Sequence, residues 1–255
     1  MVEERKQAIL QELEEKGKVR VAELSEKFHC SEVTIRKDIQ QMDEEGLLLR
    51  THGGALPVQK EDDRKYPAES LYRFTSRKKL IAACAYEFIE DRDTIILDDA
   101  STSFYLAVHI KNHPKKRIAV VTNSLLAGNE LAGVPHVELY MVGGYVGGHL
   151  AATMGNAAVQ SISQLHVDKA FIGVHGVNFN VGFTSIGNPQ MEVKQAILKA
   201  AERTYVLADS SKFGGGYLSV ICPIKKVDKI ITDDAISSEI VKRAEKEKVS
   251  LVIAR

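Results

Sequence analysis

The chain has 255 residues, 44% hydrophobic and 27% charged, and its 34 Lys and Arg balance 34 Asp and Glu. That composition supplies enough apolar material for a core and excludes a mainly disordered chain, while zero net charge gives no bulk signal for nucleic acid or membrane. There is no apolar run of the roughly 18 residues that a membrane span needs, the acidic start MVEERKQAIL reads as no secretory signal, and three scattered cysteines (Cys30, Cys84, Cys222) suit a reducing cytoplasm rather than disulfides or zinc.

Residues 1–56 read as three helices and a hairpin. Helix one is predicted at about 3–16, stopped by Gly17, and helix two at about 21–28, with Val21, Leu24 and Phe28 inward. A short connection, His29-Cys30-Ser31, leads to a third helix at about 32–45, capped by Ser31 and ended at Gly46. Two short helices joined by such a turn form a helix-turn-helix. At 100° per residue, Ile35, Ile39 and Met42 of the third helix face inward. Val33, Lys37 and Gln40 face the other way, flanked by Thr34, Arg36 and Gln41. Cations, a hydroxyl, carboxamides and an exposed Val are the groups that contact phosphates, base edges and thymine methyls in a major groove. LLLRTHGGAL at 47–56 reads as two strands turning at Gly53-Gly54, a wing carrying Arg50 and His52. Residues 1–60 hold ten Lys and Arg against twelve Asp and Glu, a balance that speaks mildly against a nucleic-acid partner, but many of the acids (Glu3, Glu4, Glu12, Glu14, Glu15) lie in helix one, away from a groove. The competing interpretation is a solvated helical subdomain.

Residues 57–75 are polar, with two prolines and charges of both signs, the composition of a linker. From Ser76 to residue 255, β-branched runs alternate with helix-length segments. The runs are TIILD at 94–98, IAVVT at 118–122, VELYMV at 137–142, KAFIGV at 169–174, TYVLAD at 204–209, KIIT at 229–232 and SLVIA at 250–254. Helices are expected at 76–90, 102–111, 124–132, 155–164, 189–202 and 236–248. This alternation predicts an α/β domain with a mostly parallel sheet and helices on both faces. In the first of these helices Ser76 is the expected cap, with Leu80, Cys84 and Phe88 on an apolar stripe beside Ile81, Ala85 and Ile89.

Ligands of open α/β sheets bind beyond the carboxyl ends of the strands, and polar clusters fall there. Asp98, Ala100, Ser101, Thr102 and Ser103 follow the first run and lead into a helix, whose free N–H groups suit a phosphate. Thr122, Asn123 and Ser124 follow the second, Gly143 and Gly144 the third, and Asp209 to Lys212 the fifth, while Lys194 lies in the helix after Pro189. One crevice would then offer hydroxyls, N–H donors and the ammonium groups of Lys194 and Lys212, suiting a sugar phosphate. Thr-Asn-Ser and Asp-Ser-Ser also serve simply as caps and turns. Gly143 to Gly148 lack the spacing of a dinucleotide fingerprint. His109 and His113 share a helix face, but a closed zinc site needs four ligands and no acidic or cysteine partner lies nearby; no metal or cofactor is expected. Cys84 reads as packing.

The segment Ser31-Glu32-Val33-Thr34-Ile35-Arg36-Lys37-Asp38-Ile39 and the wing Arg50-Thr51-His52-Gly53-Gly54-Ala55 resemble the winged helix-turn-helix of the DeoR family of bacterial repressors. The later clusters are similar to that family's sensor motifs Asp-x-Gly-Thr-Thr, Thr-Asn-Ser, Gly-Gly, a helix Lys and Asp-Ser-Ser-Lys-Phe-Gly, and the resemblance runs to about residue 234. It implies a sequence-specific repressor of sugar-metabolism genes that binds double-stranded operator DNA. It also implies a C-terminal domain, similar in fold to pentose-phosphate isomerases and CoA transferases, that senses a phosphorylated sugar or related metabolite. A cytoplasmic homodimer or homotetramer without catalytic activity is expected, since paired half-sites raise affinity. Two departures bear on the ligand geometry: Ala100-Ser101-Thr102 stands where the family usually has Gly-Thr-Thr, and Gln190 where a Glu commonly precedes the helix Lys by four. The main alternative is a sugar-phosphate isomerase using Asp98, Asp99 or Asp209 as its base. A duller one is an activator or DNA-bending scaffold without a metabolite.

Overall fold

The computed structural model describes residues 2–44, 47–57, 69–147 and 150–255. They divide into two units, Met1–Ser76 and Arg77–Arg255.

In the first unit α1 (Val2–Lys16) stops at Gly17, whose φ of +69° suits a residue without Cβ. β1 (Val19–Arg20) leads directly into α2 (Val21–Lys27). The connection to α3 (Glu32–Glu44) turns through His29 at φ +49°, with Ser25 Oγ donating to the Cys30 carbonyl at 2.6 Å. The expected stop at Gly46 lies outside the described residues. β2 (Leu48–Thr51) and β3 (Gly54–Pro57) form the wing, and α4 (Glu69–Tyr72) follows. Ile9, Leu13 and Leu24 of the first two helices pack with Ile35, Ile39 and Met42 of α3 and Leu48 and Ala55 of the wing.

The wing turns one residue earlier than expected. Thr51 pairs with Gly54, so His52 and Gly53 make the turn and Gly54 belongs to the strand. The cause is β1, which sequence periodicity did not reveal: it pairs with β3 and completes a sheet of order β1-β3-β2. A Cβ on Gly54 would come within 1.8 Å of the Val19 carbonyl oxygen, so this glycine is required by close strand approach rather than by a turn.

The second unit follows on α5 (Thr75–Tyr86). Ser76 is therefore inside the helix instead of capping it. The buried face also differs from the expected stripe. Leu80 is 37% exposed and Cys84 only half-buried, while Ile81, Ala82, Ala85 and Tyr86 are buried. The two alanines allow this face to lie close against its neighbours, which a Leu-Cys-Phe stripe would hold off.

The remaining elements, in chain order, are β4 (Thr94–Leu97), α6 (Ser101–Asn112), β5 (Ile118–Thr122), α7 (Leu125–Leu131), β6 (Val137–Met141), β7 (Tyr145–Gly147), β8 (Ala152–Met154), α8 (Asn156–Ser163) and β9 (Val167–Gly173). After them come β10 (Gly176–Asn178), β11 (Gly182–Ser185), α9 (Asn188–Ala200), β12 (Ala201–Leu207), β13 (Ser219–Cys222), β14 (Lys229–Thr232), α10 (Ser238–Lys246) and β15 (Leu251–Ile253). All seven expected runs join one parallel sheet of order β15-β14-β12-β9-β4-β5-β6. Alternate residues serve opposite faces. Ile96, Ala170, Ile172, Val206 and Ile230 pack with α8 and α9. Ile95, Leu97, Phe171, Tyr205, Leu207 and Ile231 pack with α5, α6 and α7. The chain first fills the sheet outward from β4 to β6, then returns to β9 beside β4 and fills the other half. The order therefore reverses between β4 and β9, a topological switch point where strand ends splay apart and leave a crevice.

Candidate nucleic-acid interface and ligand site

Helix α3 is fixed from behind and open in front. Ile35, Ile39 and Met42 are fully buried, while Val33, 63% exposed, Arg36, Lys37, Gln40 and Gln41 face outward and Thr34 is half-buried. Ser31 Oγ accepts from the Thr34 N–H at 3.2 Å, the capping bond that starts the helix. Arg36 is held by Glu32 one turn back at 2.8 Å. Arg50 of the wing donates to Gln40 Oε1 at 3.3 Å, so the wing and the helix present their polar groups side by side. His52 is exposed at the wing turn. Two buried acids missed by sequence reasoning orient this face. Asp38 binds Arg5 of α1 at 2.5 Å, and Asp43 accepts the Arg50 backbone N–H at 3.1 Å. Their charge suggested solvent, and only the packed partners reveal their role.

In the second unit the expected ligand residues gather into three networks at the carboxyl ends of the parallel strands. The first lies at the switch point. Asp98, after β4, is fully buried and accepts four bonds: Ser103 Oγ at 2.5 Å and the Ala100 N–H at 3.1 Å on one oxygen, the Gly173 N–H of β9 at 2.9 Å and Lys194 Nζ on the other. Lys194, 2% exposed, also reaches Asp99 at 3.4 Å. Burial pushes the Asp98 carboxyl up, with Lys194 pulling against it. Burial alone would lower the Lys194 ammonium, but Asp98 and Asp99 outweigh it and hold it above its ordinary range. The ammonium expected to stand free in the crevice is instead enclosed between two carboxylates.

Both departures from the family motifs are accommodated here. Ala100 has φ −75° and ψ 151°, a conformation open to any residue, so no glycine is needed for the backbone. Space is made instead at Gly173, where a Cβ would lie 2.2 Å from that of Ala100. Gln190 donates to Asp99 at 3.4 Å and accepts from Ser185 at 3.4 Å, replacing a carboxylate with a group that can do both. Ser101 is half-buried and Thr102 buried in the first turn of α6.

The second network, Thr122, Asn123 and Ser124 after β5, is covered by β8. The Thr153 N–H donates to the Asn123 carbonyl at 2.8 Å, and Asn123 Nδ2 donates to the Thr153 carbonyl at 3.1 Å. All three side chains are buried, and Ser124 caps α7 through the Ala127 N–H at 3.2 Å. The Asn123 Oδ1 is buried with no hydrogen-bond partner among the described residues. Gly143 meets open space, and Gly144, at φ +148°, could not carry a Cβ, which would lie 2.8 Å from the Met154 carbonyl oxygen.

The third network follows β12. Asp209 accepts the Ser211 N–H at 3.0 Å and starts a single 3-10 turn, Ser210–Lys212. Burial would raise its carboxyl, but Lys212, Lys78 and the Ser211 donors prevail and hold it below the usual carboxylate range. Three members of this cluster (Arg77, Lys78 and Asp233) were missed by sequence reasoning. Lys78 is 3% exposed, Arg77 donates to Ser210 Oγ at 3.2 Å, and buried Asp233 accepts the Ser210 N–H at 2.6 Å.

Among the described residues no three His, Cys, Asp or Glu side chains are placed to hold a metal. His109 and His113 stack at 3.8 Å, with His113 Nδ1 bonded to the His109 carbonyl. Among the described residues no helix is long and apolar enough to cross a membrane.

Residues 5–61 match the model of the DeoR-like helix-turn-helix domain, and residues 73–234 match that of the DeoR C terminal sensor domain. The chain belongs to the DeoR family of transcriptional regulators. Its relatives include an uncharacterized HTH-type transcriptional regulator, YulB of Bacillus subtilis, 31% identical over 98% of this chain and 96% of that one. A putative aga operon transcriptional repressor of Escherichia coli O157:H7 is 29% identical over 98% and 93%. An L-fucose operon activator of Haemophilus influenzae is 28% identical over 98% and 99%.

Proposed function

We propose that this DeoR-family regulator represses a carbohydrate-metabolism operon in the cytoplasm, and that a phosphorylated sugar bound to its sensor controls its hold on double-stranded operator DNA. The observation that carries the DNA half is the outward face of α3, where Val33, Arg36, Lys37, Gln40 and Gln41 stand exposed over a fully buried Ile35-Ile39-Met42 seam. Ser31 and Thr34 begin the helix, and Arg50 and His52 extend the surface along the wing. The ligand half rests on the switch point, where Asp98, Ala100, Ser101, Thr102, Ser103 and Lys194 surround one strand end. Thr122, Asn123, Ser124, Gly143 and Gly144 lie to one side of it and Asp209 and Lys212 to the other. Lys194 acts by fixing Asp98 and Asp99 rather than by meeting the anion directly, which leaves Lys212 and main-chain N–H groups for the phosphate.

The protein works as a homodimer or homotetramer. Tyr140 and Met141 on the open edge strand β6, 51% and 45% exposed, and Tyr145 of β7, 76% exposed, are apolar groups that a monomer leaves in water. An isomerase reading requires a carboxylate free to take a substrate proton. Asp98 accepts four donors, Asp99 accepts from Gln190 and Lys194, and Asp209 accepts from Ser211, so each candidate base is already engaged and that reading is not favoured.

A gel shift on DNA selected from a random pool by the full-length protein tests the face. Lys37→Ala and Arg36→Ala each weaken binding, Lys37→Ala about uniformly across sequences with a smaller salt slope. Unchanged binding in both variants contradicts the assignment. A promoter fusion carrying the selected sequence reads the sign: deletion of the regulator raises expression for a repressor and lowers it for an activator.

A further inference from the structure

The boundary between the two units falls inside helix α5, with Ser76 ending one and Arg77 opening the other. The first two sensor residues, Arg77 and Lys78, do not turn to solvent as a charged helix start usually does. They enter the cluster at the carboxyl ends of β12 and β14. Arg77 Nη1 donates to Ser210 Oγ at 3.2 Å, and its Nε lies 3.8 Å from Asp233 Oδ1. The Asp233 oxygens already accept the backbone N–H groups of Ser210 at 2.6 Å and Ala235 at 3.1 Å. Asp209 accepts the Ser211 N–H at 3.0 Å. The two carboxylates therefore hold the shape of the Ser210–Lys212 turn through main-chain donors, independently of the guanidinium.

Access separates the cations of this region. Lys78 and Lys194 are 3% and 2% exposed, whereas the Arg77 side chain keeps 20% of its surface. A guanidinium is planar, always charged and weakly hydrated, and its parallel N–H groups match two phosphate oxygens. Its separation of 3.8 Å from Asp233 exceeds hydrogen-bond length. Exchanging that contact for a phosphate oxygen replaces a loose ion pair with a charge-assisted bond. Such a difference in contact between empty and occupied states is what a ligand needs to shift a conformational equilibrium.

We propose that Arg77 is a positioning residue of the ligand site: its guanidinium takes the phosphate of the bound sugar beside Ser210 and Lys212, and its change of partner carries the occupied state into the helix that leads back to the DNA-binding unit. This rests on the reading of the sensor as a sugar-phosphate site. It differs from that reading in placing the coupling in a residue outside the sequence motifs.

The test uses the full-length protein, its selected DNA, inorganic phosphate and a panel of pentose and hexose monophosphates. Calorimetry measures ligand affinity, and anisotropy measures DNA affinity with and without saturating ligand. In the wild type the sugar phosphate that binds best changes DNA affinity by about 5–150-fold, the usual span of such coupling. In Arg77→Gln that ratio falls below about twofold even at saturation. Arg77→Lys retains the charge and serves as the folded reference if the Gln variant loses its cooperative thermal transition; its ratio falls as well, because one ammonium cannot reproduce the fork. Ratios equal to the wild type in both variants overturn the role of Arg77 and leave the sugar-phosphate reading standing. A wild type that binds none of the phosphates overturns the reading, and this proposal with it.

Discussion

At Lys194 the interior holds a full positive charge with 2% of the side chain exposed, compensated by Asp98 and Asp99. Removing one member of a buried ion pair leaves the other charge unmatched in low dielectric, at a cost of about 3–5 kcal/mol. Lys194→Met therefore lowers the free energy of the sensor transition, read from urea unfolding, by that amount, whereas Lys37→Ala, on an exposed face, stays within about 0.5 kcal/mol. Asp209 contributes to the pH response of the sensor. Its folded carboxyl lies below the ordinary value, so its contribution is complete above about pH 4 and is lost as pH falls through the folded value. Thermal unfolding against pH shows this loss on the acid limb, and Asp209→Asn shallows it. Asp98 and Asp209 stand out by their place after β-branched runs and Lys194 by the helix after Pro189, but their partners are not legible in the sequence. Arg77 and Ser210 are 133 positions apart and Lys194 and Asp98 are 96 apart, and only the strand order brings them together.

Elements were legible in proportion to the apolar surface they bury. The inner strands β4, β5, β9, β12 and β14 are covered on both faces by helices, so each needed a run of Ile, Val, Leu or Ala that stands out in the sequence. Apart from the wing hairpin of β2 and β3, the short antiparallel pieces were not legible. β1 has two residues, β7 pairs with β8 in a hairpin with exposed Tyr145 and Val146, and β10, β11 and β13 form a small sheet. None carries a periodic pattern long enough to read. The wing shows what such a piece decides. Because β1 lies 1.8 Å from where a Gly54 Cβ would stand, Gly54→Ala must push β3 off its neighbour. The expected loss is about 1–3 kcal/mol from the first unit, with weaker DNA binding. Gly53→Ala, which meets open space, serves as the control in the same melting and anisotropy measurements.

At the scale of the molecule, the open β6 edge and the coupling of two sites carry the remaining consequences. Sedimentation velocity of the full-length protein is expected to show a dimer or tetramer, and Tyr140→Lys combined with Tyr145→Lys to shift it toward monomer. On the function proposed, one chain binds DNA and a sugar phosphate with a shared free energy. Coupling of that kind is reciprocal: whatever factor the ligand imposes on DNA affinity, DNA imposes on ligand affinity. Calorimetric titration of the sugar phosphate into the wild-type protein, free and saturated with its selected DNA, tests this most directly. The two ligand affinities are expected to differ by the same factor, about 5–150-fold, that separates DNA affinities with and without ligand. Equal ligand affinity in the free and DNA-bound protein would contradict it.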